Sequence, residues 1–449
     1  GIIYPEYQKQ ENYLDALRIG MLGFGTVGRG VADLLLTHHE VLAQRTGISL
    51  RLVRIATRTP ERDRGLAMDS VEVTGNVNRV VDAQDLDVVV ELIGGIIPTR
   101  DLVYRALQSG KHVVTANKAL IAEYGSELFA IARASGVQLL FEGAVAGAVP
   151  VIKALRESLA GNRIDLIYGI LNGTCNYILT EMRNHKLPFH QVLADAQAKG
   201  FAEADPSFDV DGIDAAHKLA ILSAIAFGTH LEFARITKEG IRHISDVDIA
   251  WANEMGYRIK LLALARHQEG LLEIAVRPVM VPDHSMVAAV EGVFNAVFIH
   301  GDFAGTTMYH GRGAGERPTA SAVVADLVDL ARDLHAGSKR RIPALSVPVH
   351  HLHNLPIQNS AQRHGTFYLR LAVADRPGVL AEISAILARH NISLDIIHQK
   401  GRSFVDAVPL VMVTHETTED QINRALAEIE TLDSVRETPR MIRIESGLA

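Results

Sequence analysis

From about residue 15 the chain alternates short apolar runs with amphipathic stretches. Leu17–Leu22, Leu50–Ala56, Val88–Ile93, Val113–Thr115 and Val137–Phe141 are nearly continuous in apolar residues, and helical stretches such as Gly28–Leu36 and Leu102–Leu107 lie between them. Runs of this kind, parted by helices, predict parallel strands buried on both faces of a doubly wound α/β sheet. After Pro150 the pattern changes. Helices over Val151–Leu159, Phe189–Lys199 and Gly212–Phe227 mix with longer strands over Ile164–Leu171, Leu272–Val281 and Phe294–His300, which predicts an α+β domain. A helix over Pro318–Leu334 follows a glycine-rich turn and is expected to pack back on the first domain. The stretch Ile342–Gly365 is polar, rich in His and Pro, and reads as a linker. The last stretch reads strand Phe367–Ala372, helix Val379–Arg389, strand Ser393–Gln399, strand Val405–Thr414, helix Glu419–Ile429 and strand Met441–Glu445, the βαββαβ order of a ferredoxin-like fold.

The expected organisation is therefore an arm (1–14), a dinucleotide-binding domain (15–150), a substrate and dimerisation domain (151–315), a returning helix (316–341), a linker (342–365) and a ferredoxin-like module (366–449). The length of 449 residues suits about three domains. A hydrophobic share of 48% against 22% charged is that of a soluble globular chain, and with only 5% aromatics its cores must be aliphatic. A formal charge of −7 argues against nucleic acid as partner. The single cysteine, Cys175, excludes an internal disulfide and a cysteine-based zinc site, and fits a reducing compartment. Apolar stretches such as Leu219–Gly228 fall short of the ~20 residues that cross a bilayer. The amino end has no basic-then-apolar signal layout, so the expectation is a cytoplasmic protein with no membrane partner.

The first strand runs into Gly23-Phe24-Gly25-Thr26-Val27-Gly28. In a Rossmann-type domain the first glycine makes the tight turn, the second lets a pyrophosphate approach, and the third allows close helix packing, with the helix amides facing the phosphates. Following a strand and opening a helix, this pattern points to a nicotinamide dinucleotide and not merely to tight turns. Between Ile48 and Pro60 there is no acidic residue for a ribose 2′-hydroxyl, whereas Arg54 and Arg58 are present. A guanidinium suits a 2′-phosphate, which leans towards NADP over NAD, although Arg58 also fits an ordinary solvated charge.

Two further stretches carry candidate chemistry. Thr115-Ala-Asn-Lys118 lies at the carboxyl end of a strand, where open α/β sheets place ligands. The segment Ala196–Lys218 holds Glu203, Asp205-Pro206, Asp209, Asp211, Asp214 and Lys218. Asp214 and Lys218 stand four apart on one helical face. On an exposed face they form an ordinary helix-stabilising pair; lining a cleft, they make a lysine oriented by a carboxylate and able to donate to a carbonyl oxygen.

Ala196, Gly200, Asp205-Pro206, Asp209, Gly212, Asp214 and Lys218 match the homoserine dehydrogenase signature at every specified position. Leu171–Thr174, Asn117-Lys118, Phe141–Pro150 and Gly313–Glu316 resemble the same family. The resemblance implies reversible reduction of L-aspartate 4-semialdehyde to L-homoserine by NADPH or NADH. It implies Lys218 as proton donor with Lys118 as rival, Asp214 as the group that positions Lys218, and Glu203, Asp209, Asp214, Lys118 and Thr174 as substrate-binding. Gly23 to Gly28, Arg58, Gly94, Thr115, Lys118, Gly315 and Glu316 are implied to bind cofactor. Glu142, Val145, Gly147 and Val149 align with a loop that holds a monovalent cation such as sodium, through carbonyls plus one carboxylate; a plain hinge loop is the alternative.

An aspartate-semialdehyde dehydrogenase would need a nucleophilic cysteine, but Cys175 reads better as a small buried apolar side chain. His350, His351 and His353 have poor ligand spacing and read as solvated. Asp375-Arg-Pro-Gly378-Val-Leu380 and His390-Asn391-Ile392 resemble an ACT domain, a ligand-sensing module. Asp375, Gly378 and Asn391 are its candidate effector residues, threonine its candidate effector, and a homodimer or homotetramer the expected assembly. A purely structural appendage is the alternative there. For the whole chain the alternatives are a non-catalytic dinucleotide and amino-acid sensor, or a dehydrogenase of a different semialdehyde.

Overall fold

The computed structural model describes residues 15–338, 342–399 and 407–448; the expected arm 1–14 and the first two residues of the expected strand Val405–Thr414 lie outside the described residues. Two compact units emerge. One comprises the chain up to Gly161 with Ala220–Phe233 and Gly311–His353, the other Asn162–Leu219, Ala234–His310 and the chain from Asn354.

The first unit holds a parallel sheet of β1 (Ala16–Leu22), β2 (Ser49–Ala56), β3 (Glu72–Thr74), β4 (Val88–Glu91), β5 (His112–Thr115) and β6 (Leu139–Leu140), in the order β3-β2-β1-β4-β5-β6. Its helices are α1 (Thr26–Thr37), α2 (His39–Thr46), α3 (Asn78–Val81), α4 (Thr99–Gln108), α5 (Lys118–Ala134) and the single turn α6 (Val151–Lys153). Strand β3 has three half-buried residues, too short to show as an apolar run. The helix expected over Val151–Leu159 is α6 followed by a π-helical turn, Ala154–Ser158. The expected strand Val88–Ile93 stops at Glu91 because its carboxylate folds forward onto the amides of Ile93 and Gly94.

The second unit begins with β7 (Ile164–Ile170), α7 (Gly173–His185), α8 (Phe189–Ala198), the short turn α9 (Ser207–Val210) and α10 (Ile213–Phe227), whose last residues belong to the first unit. It continues with β8 (Thr237–Lys238), α11 (Asp246–Glu254), β9 (Tyr257–Gln268), β10 (Leu271–Pro282), β11 (Phe294–Gly301) and β12 (Gly305–Arg312). The turn expected before Pro318 is thus preceded by a strand; the alternating exposure of β12 left no apolar signal. Helix α12 (Glu316–His335) returns to the first unit, where Val323, Val324, Leu327 and Leu330 share one core with Val31 and Leu35 of α1. A Cβ on Gly30 would stand 2.8 Å from the Glu316 carbonyl, so only glycine lets the two helices approach this closely.

The carboxyl-terminal module folds as β13 (His364–Val373), α13 (Val379–Arg389), β14 (Leu394–Gln399), β15 (Val408–Thr414), β16 (Thr417–Thr418), α14 (Glu419–Glu430) and β17 (Arg440–Ile444), the βαββαβ order with one extra short strand. It does not stand apart. The order β12-β11-β7-β9-β10-β17-β13-β15-β14 runs through one sheet, joined where β10 and β17 pair in parallel at Val279–Arg443 and Met280–Ile444.

Beside that seam Glu273 is buried among Arg266, Arg277 and Arg363. Burial alone would raise its carboxyl, but the surrounding guanidiniums hold it below the usual range. The stretch 342–365 is likewise no free linker: Thr229 bridges to His353, Leu272 to Ile357, and Arg363 is buried.

His112 opens β5 inside the first unit, and its Nδ1 accepts from the Gln138 amide at 3.0 Å. Burial pushes the imidazole down to about 4. The unfolded chain takes up this proton near pH 6.5 and the folded chain does so only near pH 4. Stability is therefore lost as pH falls through that window, by up to roughly 3 kcal/mol. We expect His112→Asn to flatten the dependence of chemical denaturation on pH between 4 and 6.5, whatever its effect on stability at neutral pH; an unchanged slope would refute the assignment.

Candidate active site

In the first unit the turn after β1 is built as its glycines predict. Gly23 has φ of +100°, and a Cβ there would lie 2.7 Å from the Leu92 carbonyl. A Cβ on Gly28 would lie 2.4 Å from the Gly23 carbonyl, so the helix closes on its own turn. Gly25 faces open space, with no atom within 4 Å of its Cβ position. It is also the N-cap of α1, with no side chain capping the first turn, which leaves amide donors for a phosphate. Thr26 is exposed and Val27 half-buried beside it; Phe24 is buried. These features fit a dinucleotide.

At the end of β2, Arg54 is committed to Glu72 at 2.6 Å and Asp85 at 3.3 Å, while Arg58 is exposed. Sequence reasoning passed over Arg64, which stacks on the Phe24 ring at 4.4 Å and donates to the Phe24 carbonyl and the Thr57 hydroxyl. It braces the loop that carries Arg58. Gly315 caps α12 with φ of +125°, and Glu316 binds Arg29 at 2.5 Å, tying the amino ends of α12 and α1 together.

A second omission is Glu91, fully buried at the end of β4. It accepts from Ile93 N at 2.8 Å, Gly94 N at 2.9 Å and Thr115 Oγ1 at 2.6 Å. Burial raises its carboxyl against those donors and Asn117. Asn117 in turn caps α5 through Leu120 N and donates to the Gly95 carbonyl at 2.6 Å. Gly94 and Thr115 are thus locked in one network, and Lys118, half-buried, opens the helix beside it. The only hint in sequence was one acid ending the apolar run Val88–Val90.

In the second unit, α10 is buried on nearly every side, so Asp214 and Lys218 cannot be an exposed surface pair. Lys218 Nζ donates to Asp214 Oδ2 and to the Leu171 carbonyl, both at 2.7 Å, and the residues are 7% and 4% exposed. Asn172, one residue of the stretch Leu171–Thr174 noted only for its resemblance, donates to Asp209 at 2.8 Å and Asp214 at 2.9 Å. Asn295 adds a donor to the Leu171 carbonyl at 3.0 Å.

Thr174 donates to the Phe201 carbonyl at 2.7 Å, and Glu203 is exposed on the same loop. Cys175 is fully buried, its thiol pushed well up by burial and facing the Asp209 carbonyl, which suits no nucleophile.

Two more of the expected sites sit at helix ends. Both oxygens of Glu142 accept from amides, Ile152 N at 3.2 Å and Lys153 N at 3.0 Å, so this carboxylate caps α6 and keeps a lone pair on each oxygen. Around Val145, Gly147 and Val149 the backbone turns sharply, with Ala146 and Gly147 both left-handed. Asp375 and Gly378 lie at the amino end of α13, whereas Asn391 follows its carboxyl end, some ~16 Å away for eleven residues. The φ of +55° at Asn391 ends the helix there. His350, His351 and His353 are exposed, and among the described residues no group of His, Cys, Asp and Glu is placed to hold a metal.

Comparison with known proteins adds an independent line. Residues 150–328 match the model of the homoserine dehydrogenase family, 23–142 that of the homoserine dehydrogenase NAD-binding domain, and 367–434 that of the ACT domain. A homoserine dehydrogenase of Pseudomonas aeruginosa is 46% identical over 96% of this chain and 99% of its own. A crystal structure of one from Thiobacillus denitrificans superposes with a TM-score of 0.90 at 48% identity, over 96% of this chain and 98% of that one. A hyperthermophilic archaeal homoserine dehydrogenase in complex with NADPH superposes at 0.59 and 28% identity, over 70% of this chain and 97% of its own.

The glycine geometry separates binding from folding. Gly25→Val has room for its side chain and an ordinary φ of −80°, so it should melt near the wild type yet raise the KM for dinucleotide ~10–100-fold. Gly28→Ala should instead lose ~1–3 kcal/mol of stability in denaturant titration, because its methyl meets a carbonyl. Equal behaviour of the two variants would contradict this division.

Proposed function

The chain belongs to the homoserine dehydrogenase family, and on that premise we propose how its own residues carry out the family's reaction. That reaction is the reversible reduction of L-aspartate 4-semialdehyde to L-homoserine. A bound nicotinamide dinucleotide supplies the hydride. Charge then develops on the aldehyde oxygen, and the Lys218 ammonium stabilises and protonates it. Asp214 keeps that ammonium charged and aimed, and the Leu171 carbonyl fixes its second direction. The observation that carries this reading is the lysine itself, buried in an apolar helix and salt-bridged one turn back. Such burial is costly and serves no purpose as a surface pair.

Lys118 remains the rival donor, placed at the amino end of α5 beside the cofactor half of the site. Glu203, exposed on its loop, suits the substrate ammonium, with Asp209 and Thr174 completing the substrate side. Gly23 to Gly28, Gly94, Thr115, Gly315 and Glu316 would hold the dinucleotide. Arg58 favours NADP, since nothing acidic stands near it on β2 to bind a free 2′-hydroxyl. A sodium-like cation would rest on carbonyls of Val145, Gly147 and Val149 together with Glu142, whose two capping bonds leave a lone pair on each carboxylate oxygen. The ACT module would sense threonine at Asp375 and Gly378, where the amino end of α13 is exposed, with Asn391 supplied across an interface of paired modules. A homodimer or homotetramer is supported by the module's edge strand β14, which leaves Ile397 46% exposed. The working compartment is proposed to be the cytoplasm.

Oxidation of NADPH followed optically with aspartate semialdehyde tests the assignment directly. Lys218→Ala should lower kcat ~10²–10⁴-fold with dinucleotide affinity unchanged, and near-normal turnover would remove it as donor. Arg58→Ser should narrow the preference for NADPH over NADH several-fold; a ratio that stays put would end the case for Arg58. Threonine should inhibit the full-length enzyme, and Asp375→Ala should relieve that inhibition at unchanged basal rate. A chain indifferent to threonine would have a different effector or none.

A further inference from the structure

Asn172 makes three hydrogen bonds that no other side-chain type of its size can make together. Its Oδ1 accepts from Cys175 N at 2.8 Å and so caps α7. Its Nδ2 donates to Asp209 Oδ1 at 2.8 Å and to Asp214 Oδ2 at 2.9 Å. The residue is 4% exposed, so water does not stand in for any of these partners.

Capping alone does not call for asparagine, because aspartate and serine cap as well. The amide hydrogens are what the position demands. Asp214, buried, and Asp209, half-buried, both turn an oxygen towards this point, and two carboxylates brought together resist sharing it while both are charged. An amide placed between them satisfies both at once. It also fixes the same Asp214 oxygen that receives the Lys218 ammonium. The carbonyl of the preceding residue, Leu171, holds that ammonium from the other side. Residues 171 and 172 therefore act on Lys218 twice, directly through a backbone oxygen and indirectly through a side-chain amide.

We propose that Asn172 is a positioning residue for the reduction, holding Asp214 and Asp209 so that the Lys218 ammonium keeps its aim. This rests on the reading of Lys218 as proton donor. Other charged or titratable groups in the neighbourhood are Asp211 on the stretch before α10, bound to Arg242 at 2.5 Å, His217 on α10, and Cys175 on α7, whose thiol stays neutral.

Asn172→Asp is the informative change, since it keeps the shape and the cap, removes the donor, and sets a third carboxylate beside the ammonium. Its kcat should fall ~10–100-fold with the KM for dinucleotide unchanged, and the alkaline limb of its kcat profile should move to higher pH, because added negative charge favours the protonated lysine. Asn172→Ser keeps a cap and adds no charge, so it should lose kcat ~10-fold with the profile in place. It also guards against misfolding of the aspartate variant. The proposal is overturned if Asn172→Asp matches the wild type in kcat and pH profile, or if both variants lose kcat alike with the profile unmoved, which is what a merely structural role gives. Lys218→Ala, measured alongside, separates the two claims: an inactive Lys218→Ala with a normal Asn172→Asp sinks only this proposal, whereas an active Lys218→Ala sinks both.

Discussion

An ammonium and a carboxylate lie inside a helix otherwise made of Ala, Ile, Leu and Phe apart from His217 and Ser223, and each is tolerable there only because of the other. Moved singly from water into such surroundings, either would surrender its charge or disrupt the packing around it. At 2.7 Å, with a backbone carbonyl and an asparagine amide completing the coordination, both stay within hydrogen-bonding company. Much of the second unit around α10 follows from this need. The strand β7 has to end at Ile170 so that the Leu171 carbonyl turns inward, and α7 has to start at Gly173 so that Asn172 stands at its cap. A Cβ on Gly173 would meet the Val293 carbonyl at 2.6 Å, which explains why the residue after the cap is glycine.

The cofactor half obeys a different constraint, the exclusion of side chains from a tight backbone. Gly23 is glycine because the Leu92 carbonyl presses on it, Gly28 because the helix closes on Gly23, and Gly30 because α12 presses on α1, whereas Gly25 faces open space. The buried Glu91 does for the neighbouring loop what the glycines do for the turn, drawing Ile93, Gly94 and Thr115 to one point by hydrogen bonds instead of close packing.

The ACT module differs from an appended sensor in one physical respect. Its last strand completes the edge of β10, and the Glu445 amide continues that pairing to the Met280 carbonyl at 2.9 Å. Arg277 reaches Glu419 at the start of α14, and Tyr368 and Arg370 of β13 both donate to Asp248 of α11. Cutting the module away would strip a strand from the sheet and strand buried arginines without partners, so deletion reports on folding as much as on regulation. A ligand that shifts β13 or β17 acts on the same sheet that carries β7.

Local chemistry was legible along the chain. The glycine turn, the βαββαβ order and the extents of α1, α13 and β7 are written in period, turn residues and apolar runs, because these depend on neighbours only a few positions away. The Asp214–Lys218 spacing was visible too, but whether it lay in water or in a core was not, since that depends on what covers α10. Three other matters belonged to tertiary structure alone. Glu142 caps α6, ten residues downstream. Asn172 serves carboxylates roughly forty residues away. The seam between β10 and β17 joins positions more than a hundred and sixty residues apart. Backbone edges and buried polar groups take whichever partner the fold delivers, and no periodicity along the chain records which one that is.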